Sequence, residues 1–200
     1  MDYVRINTVY SNEEQHLIIK ENLEKVPSHK KIPVIFDILS RETIGRIIHH
    51  NPSTIAVSFS ESRNHLEEIK KDLPDCEIIA KIESEKGVRN FAEILDISCG
   101  VMVARGDLGR AVSLERVPCL QKRFSKETLE KDKFLIIATE MLLSMVSNPQ
   151  PTKAEVSDVA NAVFDGAKAV MLSEETAIGK NPVEAVRYMR KIILEAEGCV

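Results

Sequence analysis

The chain has 200 residues, 44% hydrophobic and 29% charged, a globular composition that excludes an intrinsically disordered chain. The formal net charge is −4 with both signs interspersed, so no basic stripe marks a nucleic-acid partner. No apolar run is long enough to span a bilayer, and the opening MDYVRINTVYSNEEQ lacks the apolar core of a signal peptide. The length suits one domain over residues 1–200, and the expectation is a soluble, cytoplasmic protein with no membrane partner.

In chain order, DYVRIN reads as a strand and SNEEQHLIIKENLEKV as a helix. Ser11 stands as its cap, with Glu14 three residues on as in a capping box. Leu17, Ile18, Leu23 and Val26 give that helix an apolar face. KIPVIFDI is the next strand, followed by a helix RETIGRIIHH that puts Ile44, Ile47 and Ile48 on one side. The strands STIAVSF, CEIIAKIE, CGVMVARGD, KFLIIATE and KAVMLSEET then alternate with helical stretches. Those stretches are SRNHLEEIKKDL, GVRNFAEIL, LERVPCLQKRFSKETLEK, TKAEVSDVANAVFDG and PVEAVRYMRKIILEAE, the last opening on Pro182 as a first turn permits.

Strand and helix thus repeat seven times. The strands are apolar without strict alternation, as in a parallel sheet covered on both faces. The pattern predicts α/β architecture, an incomplete TIM-type (β/α) barrel of about seven parallel strands. An open doubly wound sheet satisfies the same pattern. A wall short of one strand leaves two edges, which favours self-association, a homo-oligomer, or a strand filling the gap.

Polar residues gather where strands end: Arg5, Asn7, Asp37, Lys81, Glu83, Arg105, Asp107, Thr139, Ser173 and Glu175. In a parallel barrel those ends face one side. Lys81 and Glu83 are two apart and share a strand face, as a site or as a plain ion pair. ARGDLG brackets Asp107 with glycines, as an anion-binding loop or a tight turn does. Glu83 and Asp107 together suit Mg²⁺, which takes one or two carboxylates. Arg5, Lys81 and Arg105 would surround an anion. Thr139 and Ser173 are hydroxyls able to pass a proton or to cap a helix.

His49 and His50 end a predicted helix, and His16, His29 and His65 read as surface or loop residues, none of them catalytic. Cys76, Cys99, Cys119 and Cys199 form no Cys-x-x-Cys pair, so free thiols are expected and zinc is not. Cys99, opening a strand, reads as a small core residue.

AKIESEKGVRNFAEIL, GVMVARGDLG and ATEMLLSMVSNPQPTKAEVSDVANAVFDGAKAVMLSEETAIGKNPVEAV resemble the second half of the pyruvate kinase barrel. VRIN, VIFD and VSFS are similar to the family's earlier strands, so the resemblance covers almost the whole chain. It implies phosphoryl transfer from phosphoenolpyruvate to ADP, giving pyruvate and ATP, with Mg²⁺ (or Mn²⁺) and usually K⁺. It implies Mg²⁺ on Glu83 and Asp107, and Lys81 and Arg5 on the phosphoryl group. The substrate carboxylate would lie on the backbone of Gly106 and Asp107, with Thr139 and Ser173 where the enolate is protonated.

Against that family pattern, the first β/α unit, the lid domain after Asp37 and the C-terminal domain are expected to be absent. The K⁺ site reads as degraded. Asn7 and Asp37 match family ligands, but Val9 and Ile38 stand where oxygen donors are expected. Tyr10, Ser84, Glu140, Lys153 and Glu174 also depart from the pattern, and Glu174 adds negative charge near an anion site. The expected function is a pyruvate kinase-like phosphotransferase. The alternatives are a paralogue that binds phosphoenolpyruvate or pyruvate with Mg²⁺ without efficient transfer, or a non-catalytic partner of a full-length kinase.

Overall fold

The computed structural model describes residues 1–27 and 31–199. His29, read from sequence as a surface or loop residue, lies outside them. The strands are β1 (Val4–Asn7), β2 (Val34–Ile38), β3 (Thr54–Val57), β4 (Glu77–Ile82), β5 (Gly100–Ala104), β6 (Phe134–Ala138) and β7 (Ala169–Met171). The helices are α1 (Glu13–Glu24), α2 (Arg63–Asp72), α3 (Glu85–Arg89), α4 (Phe91–Ile97) and α5 (Arg105–Ala111). They continue with α6 (Val117–Glu130), α7 (Lys153–Phe164), α8 (Glu174–Ala177) and α9 (Pro182–Glu197).

The seven strands form one parallel sheet in chain order, β1 to β7. The sheet curls into an incomplete (β/α) barrel, the architecture the strand–helix repeat predicts. Among the described residues β1 and β7 each pair on one side only, so both present an open edge.

Side chains alternate across each strand, and both faces are apolar. Phe36, Ile55, Ile78, Val101, Val103, Leu135 and Ile137 face the helices and join Leu66, Ile69, Ile94, Phe124 and Met189 in the main core. Ile35, Ala56, Ile79, Met102, Ile136 and Ala138 form a second cluster, on the concave face, which Cys99 flanks as a partly buried neighbour. Two apolar faces explain why the strands lack the polar alternation of a half-solvated sheet. Cys76 is buried and Cys119 and Cys199 are exposed, all as free thiols.

Several helical expectations need correction. The cap of α1 is Asn12, with Gln15 completing the capping box in place of Ser11 and Glu14. Ser11 is already engaged, since its hydroxyl contacts the Asn7 carbonyl and His16. Leu17, Ile18 and Val26 are exposed, and the fully buried residue of α1 is His16, which the sequence reading placed on the surface.

RETIGRIIHH forms two 3-10 turns, Arg41–Arg46 and Ile48–His50, not an α-helix. Three-residue periodicity aligns buried Ile44 and Ile47 and turns Ile48 outward. His50, one of two histidines read as a helix end, is buried beside them. GVRNFAEIL breaks at Asn90 into α3 and α4.

Thr152 and Glu155 cap α7 reciprocally, and Glu155 also accepts from the Ser144 N–H at 2.6 Å and its hydroxyl at 2.6 Å. Burial raises the Glu155 pKa, but these hydrogen bonds outweigh it and hold the carboxyl below its ordinary value. Its stabilising contribution is therefore complete above the ordinary glutamate pKa and lost as pH falls through the lowered one. Thr152→Ala and Glu155→Gln should each lower unfolding free energy by about 1 kcal/mol in urea titrations at neutral pH. The Glu155→Gln deficit should shrink in acid, where the wild-type carboxyl is also neutral.

Candidate active site

Strand parity decides which polar groups meet. Ile35, Ala56 and Ile79 face the concave side, so Asp37, Ser58 and Lys81, two residues further along, share that side, and Glu83 follows Lys81. On β1, Ile6 faces the main core, which leaves Arg5 and Asn7 on the concave face.

Lys81 is 7% exposed and its ammonium is fully partnered. It donates to Ser58 Oγ at 2.8 Å, lies 2.9 Å from Glu83 Oε1, and lies 3.0 and 3.2 Å from the two oxygens of Asp37. Arg5 reaches Asp37 Oδ2 through Nε at 2.9 Å and through a terminal nitrogen at 2.6 Å. Glu83, 2% exposed, accepts the Phe59 backbone N–H at 2.7 Å. Phe59 holds φ at +47°, a left-handed backbone that a bulky residue adopts only under constraint. Burial pushes the Glu83 pKa up, with Lys81 and the Phe59 N–H offsetting only part of that. Four strand ends thus converge on one compensated cluster of two cations and two carboxylates.

A second group lies on β5, β6 and β7. Gly106 and Asp107 open α5 directly, so ARGDLG is the first turn of a short helix where the sequence suggested a loop. The Gly106 N–H donates to Thr139 Oγ1 at 2.8 Å, and that hydroxyl donates to the Ala138 carbonyl at 2.6 Å. Thr139 and Glu140 are both left-handed, at φ +68° and +55°. Asp107 is half-exposed and accepts from Arg110 at 3.0 Å.

Arg105, expected beside an anion, instead binds Asp158 at 2.7 Å and the Thr139 carbonyl at 2.9 Å, which ties α5 to α7 and the end of β6. Glu175 is fully buried and joins the last two strand ends. It accepts the Ser173 N–H at 2.7 Å and the Leu142 N–H at 2.9 Å, so it sets the backbone that carries Ser173.

Asn7 folds back to accept the Val9 N–H at 2.9 Å, while Ile38 is sealed in the main core and Val9 is exposed. With Asp37 saturated by Arg5, Lys81 and Ser58, these residues do not fit a K⁺ ion. For Mg²⁺ the donor chemistry fits: Glu83 is an under-compensated buried carboxylate, and Asp107 is a half-exposed hard oxygen donor. Among the described residues, no three His, Cys, Asp or Glu side chains cluster as a metal site.

The model of the pyruvate kinase barrel domain matches residues 5–186. The chain belongs to the pyruvate kinase family. The pyruvate kinase of Chlamydia muridarum is 44% identical over 209 residues, covering 96% of this chain and 43% of that protein. Those of Thermotoga maritima and Thermococcus litoralis are 44% identical over 161 residues and 42% over 206, covering 34% and 43% of their lengths. The chain therefore spans less than half the length of the pyruvate kinases it matches. Among the described residues, no helix is long and apolar enough to cross a membrane.

Ser58, the Phe59 N–H and the bridging role of Glu175 escaped the sequence reading. Parity along β3 places Ser58 on the concave face, so that contact was accessible. The Phe59 and Glu175 contacts depend on backbone turns that no residue pattern encodes.

Lys81→Met should destabilise the protein by about 3–5 kcal/mol, because it strands the buried Glu83 charge. The Glu83 pKa is already raised, so the proton-bound form favours folding, and that contribution fades as pH rises through the raised value. Loss of the ammonium raises it further. Urea unfolding across pH should therefore show the mutant deficit growing from acid to neutral pH.

Proposed function

We propose that this protein is a pyruvate kinase-like phosphotransferase that moves the phosphoryl group of phosphoenolpyruvate to ADP, giving pyruvate and ATP. The observation that carries this reading is Lys81, buried on the concave face between Asp37 and Glu83 with Arg5 alongside. Phosphoryl transfer asks a protein mainly to position groups and neutralise charge, and this cluster is built for both.

Arg5 and Lys81 bind the phosphoryl oxygens, each exchanging a contact with Asp37 for one with the ligand. The ammonium of Lys81, held by Ser58 and Glu83, faces the negative charge of the transferring group. The backbone of Gly106 and Asp107 receives the substrate carboxylate at the first turn of α5, the Gly106 N–H exchanging its contact with Thr139 for one with the ligand. The hydroxyls of Thr139 and Ser173 hold the proton on the side where the enolate carbon takes it up. Mg²⁺ or Mn²⁺, on Glu83 and Asp107, would neutralise charge on the phosphoryl and enolate oxygens. No step is assigned to K⁺.

A second reading is favoured by the chain between β2 and β3. Residues 39–53 hold only two 3-10 turns, so no lid is inserted after Asp37. Closure of a lid commonly excludes water from such sites. In this reading the barrel binds phosphoenolpyruvate or pyruvate with the metal and enolises pyruvate without efficient transfer.

Both readings place the protein in the cytoplasm as one barrel domain that self-associates. Its open β1 and β7 edges support self-association. Light scattering should give a mass above the 22.4 kDa monomer; a monomer across a concentration series would remove that part of the proposal.

The deciding measurement is pyruvate production from phosphoenolpyruvate and ADP with Mg²⁺, with and without K⁺. It should be run beside Lys81→Met at a temperature where both are folded. Turnover that vanishes in the mutant and ignores K⁺ is the expected result. Absence of turnover with intact methyl-proton exchange on pyruvate would select the second reading.

A further inference from the structure

We propose that His16 and His50 form a pH-sensitive latch that holds α1 on β2 while both rings are neutral and releases it on acidification. Most of what α1 offers the body is weak: Leu17 and Ile18 face solvent, Ile19 is only partly buried, and His16 is the side chain that is completely enclosed. Its ring sits edge-on to Phe36 of β2 at 5.8 Å between centroids and edge-on to His50 at 5.7 Å. His50 in turn stacks on Phe36 at 5.3 Å. A titratable pair therefore occupies the place where an amphipathic helix ordinarily buries Leu or Ile.

The hydrogen bonds fix the tautomer of His16. The Ser11 hydroxyl gives its one proton to the Asn7 carbonyl, so it accepts from Nε2–H of His16 at 2.8 Å. Nδ1 is then a bare acceptor. Among the described residues neither His16 Nδ1 nor His50 Nε2 has a partner, and both atoms are sealed from solvent. A proton arriving on His16 Nδ1 creates a buried charge with nothing to accept its hydrogen bond.

The surrounding charges do not rescue it. Glu13, on α1, favours the charged rings, but it is exposed and bound to His49 at 2.9 Å, and burial outweighs it. Arg46 from the first 3-10 turn, His49 from the second and Lys20 from α1 all oppose a further positive charge. On β2, Asp37 is committed to Arg5 and Lys81. Burial above all, with these cations, holds both imidazoles below their ordinary pKa. The released form takes up protons that the latched form refuses, so the latch is firm above the ordinary histidine pKa and weakens as pH falls through it. Because Ser11 joins His16 to the end of β1, release reaches the strand that carries Arg5.

The test is amide hydrogen exchange on the wild-type chain at about pH 7.5 and about pH 5.5, corrected for intrinsic rates, with imidazole titration by NMR. The expected result is selective loss of protection over Glu13–Glu24 in acid, with β3 to β6 still protected. The opening constant should rise by up to about tenfold per pH unit for each latch histidine. His16→Phe, which keeps an aromatic ring without a proton site, should reduce that dependence to the share of His50. Two results would overturn the latch: α1 protection indifferent to pH in the wild type, or both rings titrating at or above the ordinary histidine value. The wild-type titration decides the matter even where the variant folds poorly.

Discussion

The burial of the Lys81 ammonium is the constraint on which the rest of this structure depends. An unpaired charge there would be prohibitively costly, so acceptors must arrive from elsewhere in the chain. They come from the ends of β2 and β3 and from Glu83 just past β4. This requirement fixes strand register. Asp37 pairs with Ala56, and Val57 with Ala80, so Ser58 comes level with Lys81 and Asp37 lies one same-face step below them. A one-residue slip in β4 would turn Lys81 into the helix-facing core and Ala80 onto the concave side. Apolar packing alone tolerates such a slip poorly, and the ion cluster forbids it.

The same cluster shapes what the site can bind. Two cations face two carboxylates, and Asp37 alone accepts from both Arg5 and Lys81. In the proposed reaction an incoming phosphoryl group would have to compete with Asp37 for them. The competition keeps two cations preorganised without leaving them unpaired, at the expense of intrinsic affinity. It also separates the two carboxylates: Asp37 accepts from both cations, while Glu83 accepts from Lys81 and the Phe59 N–H.

How much of this was legible in the sequence follows from what each level of structure uses. The seven strands were, because dense aliphatic runs between amphipathic stretches have few other solutions. The convergence of Asp37 and Lys81 at one end of the sheet followed from topology. Family resemblance, not spacing, supplied roles for Gly106, Thr139 and Ser173. The failures share a cause. Arg105 looked like an anion ligand, but its partner Asp158 lies on a helix 53 residues on, a pairing that no local pattern predicts. His16 looked like a surface residue because its neighbours Leu17 and Ile18 seemed the better core candidates. Those two lie on the solvent side of the helix, while His16 faces the body.

The fold has two unequal halves. From β3 to β6 each strand is paired on both sides, with large side chains such as Phe91, Phe124, Ile94 and Leu95 sealed behind the sheet. At the other end, among the described residues, β1 is an edge and α1 rests on His16. The candidate site straddles the boundary: Glu83, Gly106 and Thr139 belong to the firm half, whereas Arg5 belongs to the edge, bound to it through Asp37. Regions of low local stability are where proteins place parts that must move. A cation on the yielding side can therefore part from Asp37 with little strain, while Glu83 stays fixed. The arrangement divides binding from positioning along the sheet, and Asp37 is the joint between them.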